Sequence, residues 1–298
     1  MKKLKAAISR SLNLGSMRKH RSRLGWRAAP AYSSYLGRCR SEAPVDHFRP
    51  DLGEAVEAFR RDGVTSFETV ETSRTACIIF DRLAARERAG EPIWTPLNGS
   101  GGQAYTGDLW RDCPELEDLF RGPIGEFLRG YFASPFKLFY GSLYRSEALP
   151  DGRLGSQLWH SDGGPGICVN VMYYLHTLEA QHGALEALPW SKSMEIFERE
   201  PNPALLGSSK RDVLTKFYEA EIEANYKNAL VRPLGGPGLV VPFLNNTIHR
   251  GGFPAKGKTR TAIVFHCYPS HQPTNFERYR LNGIKKSAPY PADPAAEF

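Results

Sequence analysis

Leu52, Ala55, Val56 and Phe59 recur at the three- and four-residue spacing that keeps side chains on one face of a helix. The charged run Arg60-Arg61-Asp62 and then Gly63 end that pattern, and the stretch 64–67 reads as a short strand. A second helix is predicted over 76–88. Residues 95–108 (TPLNGSGGQAYTGD) have no apolar period and are dense in Gly, Thr and Ser, which predicts a long mobile loop able to close over a site. Two short helices are expected near 115–120 and 124–132.

From Pro135 onward the pattern shortens. The runs 136–146, 167–176, 184–188, 238–244 and 261–268 are β-branched or aromatic and are parted by Gly and Pro clusters, as strands are. Between them Ser209-Lys210-Arg211-Asp212 has a capping-box form and opens a helix to about residue 224. Such an order predicts a mostly β fold with flanking helices, a jelly roll or similar two-sheet barrel. The expected organisation is a basic, flexible tail over 1–44 and one domain over 45–298. Within that domain the β core spans about 135–270 and a helical insertion about 193–228.

Charge changes the picture only at the N-terminus. The 298-residue chain has a net charge of +7, yet eleven of its 39 Lys/Arg lie in residues 1–40, where there is no Asp or Glu. The remainder holds 28 basic against 32 acidic residues, so the body is net −4. In the tail Leu4, Ile8 and Leu12 share one helical face among basic residues, which suits peripheral contact with an anionic membrane or an organelle transit peptide. Its aromatic residues (Trp26, Tyr32, Tyr35) are too thinly interleaved for sequence-specific contact with nucleic acid. No apolar run reaches the roughly 18 residues of a membrane span. The five cysteines, no two closer than 36 positions, fit neither a disulfide framework nor a zinc site and point to free thiols in the cytoplasm.

Two motifs compete for the chemistry. Gly252-Phe-Pro-Ala-Lys-Gly257-Lys258-Thr259 matches a phosphate-binding loop letter for letter. That motif works only where it feeds a helix whose N–H groups hold the phosphates, and the segment after it, 260–268, has a strand's composition. The second motif is Trp159-His160-Ser161-Asp162 with His249 following 89 positions later. Two imidazoles and one carboxylate on one face of a metal are the ligand set of non-heme iron(II) oxygenases, leaving positions open for a co-substrate and O2. A His-x-Asp step puts two ligands on one side of an extended segment, and a histidine from a neighbouring strand closes the face. Eleven residues beyond His249, Arg260 offers the guanidinium fork that a dicarboxylate co-substrate needs.

At these residues the chain resembles the phytanoyl-CoA dioxygenase family of Fe(II)/2-oxoglutarate oxygenases, over about residues 55–270. The likeness runs from Phe59-Arg-Arg-Asp-Gly63-Val64 through Trp159-His160-Ser161-Asp162 and His182-Gly183-Ala184-Leu185…Pro189 to Gly238-Leu239-Val240…His249…Arg260. It implies a double-stranded β-helix with external helices, Fe(II) held by His160, Asp162 and His249, and Arg260 on the distal carboxylate of 2-oxoglutarate. Gln157 and Asn170 are candidate partners of that co-substrate. Relatives that halogenate lack the carboxylate ligand, so Asp162 points to hydroxylation or another hydrogen-abstraction outcome at a C–H bond of a small-molecule or lipid-linked substrate, with release of succinate and CO2. Trp159, Tyr144, Tyr173 and Trp190 are candidate substrate contacts, and His176, His182, His266 and His271 candidate supporting groups. The chain departs from the family at His182, at Pro189-Trp190-Ser191-Lys192, and at Gly251, where a hydroxyl residue is common. A non-catalytic jelly-roll binding protein and a nucleotide-binding protein using residues 252–259 are the alternatives, and the oligomeric state stays open.

Overall fold

A computed structural model describes residues 30–42, 49–97, 102–148, 155–162, 168–201 and 210–284. Helix α1 (Pro30–Glu42) comes first. It corrects the expected extent of the tail: Tyr35 and Cys39 are buried, and the Tyr35 hydroxyl donates to the Pro269 carbonyl at 2.7 Å. The amphipathic stretch around Leu4 lies outside the described residues. Helix α2 (Gly53–Asp62) buries Val56 and Phe59 and ends at Gly63, whose φ of +69° is the left-handed conformation a glycine stop provides.

Helix α3 (Val70–Arg88) begins six residues before the predicted start at 76. Its cap is a reciprocal pair, the Thr69 hydroxyl accepting from the Thr72 N–H and the Thr72 hydroxyl from the Thr69 N–H. An apolar period does not reveal such a cap, because Thr72 replaces the usual Glu or Gln. The segment 95–108 is also corrected. It forms a hairpin, β1 (Trp94–Leu97) against β2 (Gly102–Tyr105), followed by the short helix α4 (Leu109–Asp112). The polar strands are specified by pairing onto a neighbour's edge rather than by burial, and Gly102 allows it: a Cβ there would come 2.8 Å from the Arg145 carbonyl.

Helices α5 (Glu115–Arg121) and α6 (Pro123–Phe132) follow as predicted, and then β3 (Phe136–Glu147). Next are β4 (Val169–Tyr174), β5 (Leu185–Ala187), helices α7 (Trp190–Glu198) and α8 (Lys210–Glu221), β6 (Val240–Leu244), β7 (His249–Gly251), β8 (Thr259–Pro269) and α9 (Phe276–Asn282). Residues 64–67 make two bridges to β6 instead of a full strand. The major sheet has the order β1-β2-β3-β8-β4-β6, with antiparallel pairing throughout. The minor sheet is β5 and β7, extended by single bridges from His160 to His249 and from Val231 to Ala187.

Alternation divides the major sheet into two faces. Val169, Val171 and Tyr173 of β4 and Ile263, Phe265 and Cys267 of β8 pack on the helices, with Phe59, Ile79, Leu116, Phe120 and Phe127. Met172, Tyr174, Val241, Phe243 and Ala262 face the minor sheet, against Leu185 and Ala187. The outer side of the minor sheet is covered by α7 and α8 through Leu188, Ile196, Phe197, Tyr218 and Ile248. In β3 a bulge between Leu138 and Tyr140 shifts the alternation, so Leu138 and Leu143 both join the helical core although their numbers differ in parity. The cysteines are free, and all but Cys77 are buried.

Candidate metal centre

Cross-strand register gathers one row of side chains on the inner face: Tyr140 opposite His266, His266 opposite Asn170, and Asn170 opposite Phe243. A parallel row nearer the other end pairs Ser146 with Arg260. Both rows line a cavity of about 390 Å³ between the two sheets, with His160, Asp162 and His249 on the opposing wall.

His160 and Asp162 follow a single turn of 3-10 helix at Gly155–Gln157. Their extended conformation is imposed by tertiary bonds: the His160 N–H donates to the His249 carbonyl at 3.0 Å, the His249 N–H to the His160 carbonyl at 2.8 Å, and the Asp162 N–H to the Asn245 carbonyl at 3.0 Å. The imidazole Nε2 atoms lie 3.7 Å (His160) and 4.0 Å (His249) from the carboxylate oxygens of Asp162, and one donor atom from each residue lies within 4.8 Å of the others. Donors about 2 Å from a common ion are roughly 3–4 Å apart, so the set needs little adjustment to share one.

The surroundings favour the ligating forms. His160 Nδ1 sits 2.7 Å from the Leu158 carbonyl and His249 Nδ1 2.9 Å from that of Thr247. Each contact is a hydrogen bond only if Nδ1 carries the proton, which leaves the Nε2 lone pair aimed inward. Burial, joined by the neighbouring His160, pushes the His249 imidazole down to about 4, so it stays neutral in mildly acidic solution. Burial would raise the Asp162 carboxyl, but His249, His160, His266 and the Asn170 amide outweigh it and hold the group below the usual carboxylate range. The two-imidazole, one-carboxylate donor set suits a divalent transition metal with coordination positions left open.

Arg260 is 1% exposed and, among the described residues, has no acidic partner. Its Nη1 donates to the carbonyls of Gly183 and Gly252 and its Nη2 to the Ser146 hydroxyl at 3.2 Å. A buried guanidinium whose charge no carboxylate neutralises is costly unless an anion joins it. Gly251 makes the arrangement possible, since a Cβ there would come 2.9 Å from Nη2. The departure at Gly251 thus clears space for the arginine.

Asn170 reaches the cavity, and its amide donates to Asp162 at 3.0 Å, so it orients a candidate ligand. Gln157 is buried and is not among the cavity-lining residues, although its neighbour Ser156 is. Of the aromatic candidates Tyr144 lines the cavity, with its hydroxyl on the Met172 sulfur at 3.2 Å. The other three are placed elsewhere. Tyr173 faces the helices and donates to the Thr72 carbonyl, Trp190 packs on α7 against Phe197, and Trp159 lies on the outer side of the minor sheet. Tyr140, also a candidate lining aromatic in the sequence, and His266, a candidate supporting group, both line the cavity; sequence reasoning missed Ser142 and Ser146. The alternation Tyr140-Ser142-Tyr144-Ser146 is a legible signal of a shared polar face; His266 shows no local signal. The stretch 252–259 turns at Lys256-Gly257 and enters β8 directly, so no helix follows to hold phosphates.

The sequence matches no protein-family model and no curated protein. Among solved structures, the non-heme α-ketoglutarate-dependent epimerase SnoN of nogalamycin biosynthesis, in complex with Fe3+, α-ketoglutarate and nogalamycin RO, has a TM-score of 0.52 at 15% identity, over 82% of this chain and 97% of its own. EctD from S. alaskensis, solved with 2-oxoglutarate and 5-hydroxyectoine, has a TM-score of 0.51 at 15% identity, over 86% and 93%. The non-heme α-ketoglutarate-dependent carbocyclase SnoK has a TM-score of 0.50 at 17% identity, over 81% and 94%. At such identities the likeness establishes the architecture, and the fold is the double-stranded β-helix expected from the sequence.

Proposed function

We propose that the protein is an Fe(II)- and 2-oxoglutarate-dependent dioxygenase that hydroxylates a C–H bond of a small-molecule substrate. One observation carries the reading: a two-histidine, one-carboxylate set, with His249 buried and His160 and Asp162 half-buried, opens onto the same cavity as a buried arginine that has no acidic partner among the described residues. The fold shared with SnoN, SnoK and EctD supports it.

His160, Asp162 and His249 would hold the iron, and Arg260 with the Ser146 hydroxyl would receive the distal carboxylate of 2-oxoglutarate. When bound, iron(II) supplies O2 activation coupled to decarboxylation of 2-oxoglutarate to succinate and CO2. The Leu158 and Thr247 carbonyls keep both imidazoles in the ligating tautomer, and Asn170 fixes one oxygen of Asp162. Leu97 and Gly102 of the hairpin form part of the cavity wall and help keep water from it. The neighbours' reactions differ from one another, and Asp162 argues against halogenation, which needs that coordination position for a halide.

Anaerobic titration with Fe(II) and then 2-oxoglutarate tests the reading through the visible charge-transfer band of the chelate. The band is expected in the wild type, absent in His160→Ala and weakened in Arg260→Gln. A wild type that binds neither metal nor 2-oxoglutarate would return the chain to a jelly-roll binding role.

A further inference from the structure

The minor sheet carries both candidate histidine ligands yet has little backbone pairing. β5 and β7 match over three residues, and the segments of His160 and Val231 are each joined by a single bridge. Side chains alternate across it. With His160 and His249 facing the cavity, their neighbours Trp159 and Arg250 turn outward, alongside Glu186 of β5. The Arg250 guanidinium lies 4.2 Å from the centre of the Trp159 ring. Its Nε donates to the Glu186 carboxylate, whose other oxygen accepts from Arg232 Nε at 2.5 Å. The row Trp159–Arg250–Glu186–Arg232 therefore crosses all four segments. Trp159 is 3% exposed, and the Arg250 and Glu186 side chains 11% and 14%, so the ring contact and the central ion pair are shielded from water.

We infer that Arg250 is a positioning residue for the metal centre proposed above, setting the separation of His160 and His249 from the outside of the sheet. Each end of its contact with Trp159 is one peptide bond from a ligand, and only two backbone hydrogen bonds join those segments there. Glu186, held in turn by Arg232, limits how far the guanidinium can swing. The inference rests on the reading of the triad as a metal site.

Co(II), followed by its visible ligand-field bands, is the probe. Arg250→Gln is expected to weaken Co(II) binding about 10–100-fold, the loss typical of groups that orient ligands, and to shift the bands. Arg250→Lys, which keeps a cation over Trp159 and beside Glu186, restores most of the affinity. Arg82→Gln, which breaks the ion pair to Glu115 between α3 and α5, leaves binding and bands unchanged. Wild-type affinity and bands in Arg250→Gln, or an equal loss in Arg82→Gln, would overturn the positioning role. Should Arg250→Gln not fold, Trp159→Phe replaces it, with weaker binding supporting the role and unchanged binding overturning it. A wild type that takes up no Co(II) sinks the metal reading itself, whereas normal binding in both wild type and variant sinks only the clamp.

Discussion

Asn170 shows how one polar side chain in an apolar strand serves a distant candidate ligand. It lies in β4 between Val169 and Val171, with its amide on Asp162 Oδ2. Asn170→Ala frees that oxygen and removes a contact that favours the charged carboxylate, so metal affinity is expected to fall roughly tenfold; Co(II) titration at constant pH measures it. Affinity equal to wild type would mean that the backbone alone orients Asp162. That His160, Asp162, His249 and Arg260 belong together was an expectation of the sequence, from the His-x-Asp step and the separated histidine and arginine, and all four line one cavity. Trp159, Tyr173 and Trp190 were legible as large aromatics but not as to side. One position along a strand reverses the face, and the phase is set by pairing partners that the local pattern does not name.

At the scale of elements, the hairpin β1–β2 illustrates an edge made by contact. Arg145 of β3 pairs with Glu87 of α3 at 2.7 and 2.9 Å, its guanidinium lies 4.4 Å from the Trp94 ring centre, and Trp94 Nε1 donates to Glu87 at 2.9 Å. These contacts tie the polar strands to the body. In Trp94→Ala, amide hydrogen exchange over 94–97 and 102–105 should quicken by about tenfold or more while the global unfolding midpoint changes little. Exchange that stays slow would assign the hairpin's order to backbone pairing alone. Gly238, which leads into β6, has a φ of +93°, and a Cβ there would come 2.4 Å from the Ser73 backbone nitrogen. Gly238→Ala is expected to cost about 2–3 kcal/mol or more, because neither the left-handed backbone nor the α3 backbone can yield; urea unfolding reads it.

For the whole molecule, enclosing imidazoles between two sheets links stability to pH. Burial pushes His249 and His266 down to about 4 from an ordinary 6.5, so between those values the unfolded chain takes up protons that the folded chain refuses. Stability of the metal-free protein should hold above about pH 6.5 and fall as pH drops towards 4, by up to about 6 kcal/mol for the two groups together at about 1.4 kcal/mol per pH unit and group. Urea midpoints across that range test it, with His266→Asn expected to flatten the slope and an unchanged slope counting against the assignment. Near neutral pH, a divalent metal at a hundred times its Kd should add about 2.7 kcal/mol, and none in His160→Ala. Among the described residues no helix is long and apolar enough to cross a membrane. The sequence by itself determined the fold class and the core strands and singled out the candidate triad, because alternation, glycine stops and the His-x-Asp step are local consequences of backbone geometry. Only the tertiary structure decided the hairpin over the cavity, the extended backbone of His160 and Asp162, the row from Tyr140 to Phe243 and the clamp outside the minor sheet. Each depends on which segments lie side by side, and pairing between segments some 90 residues apart, such as that of His160 with His249, is settled by how the whole core closes.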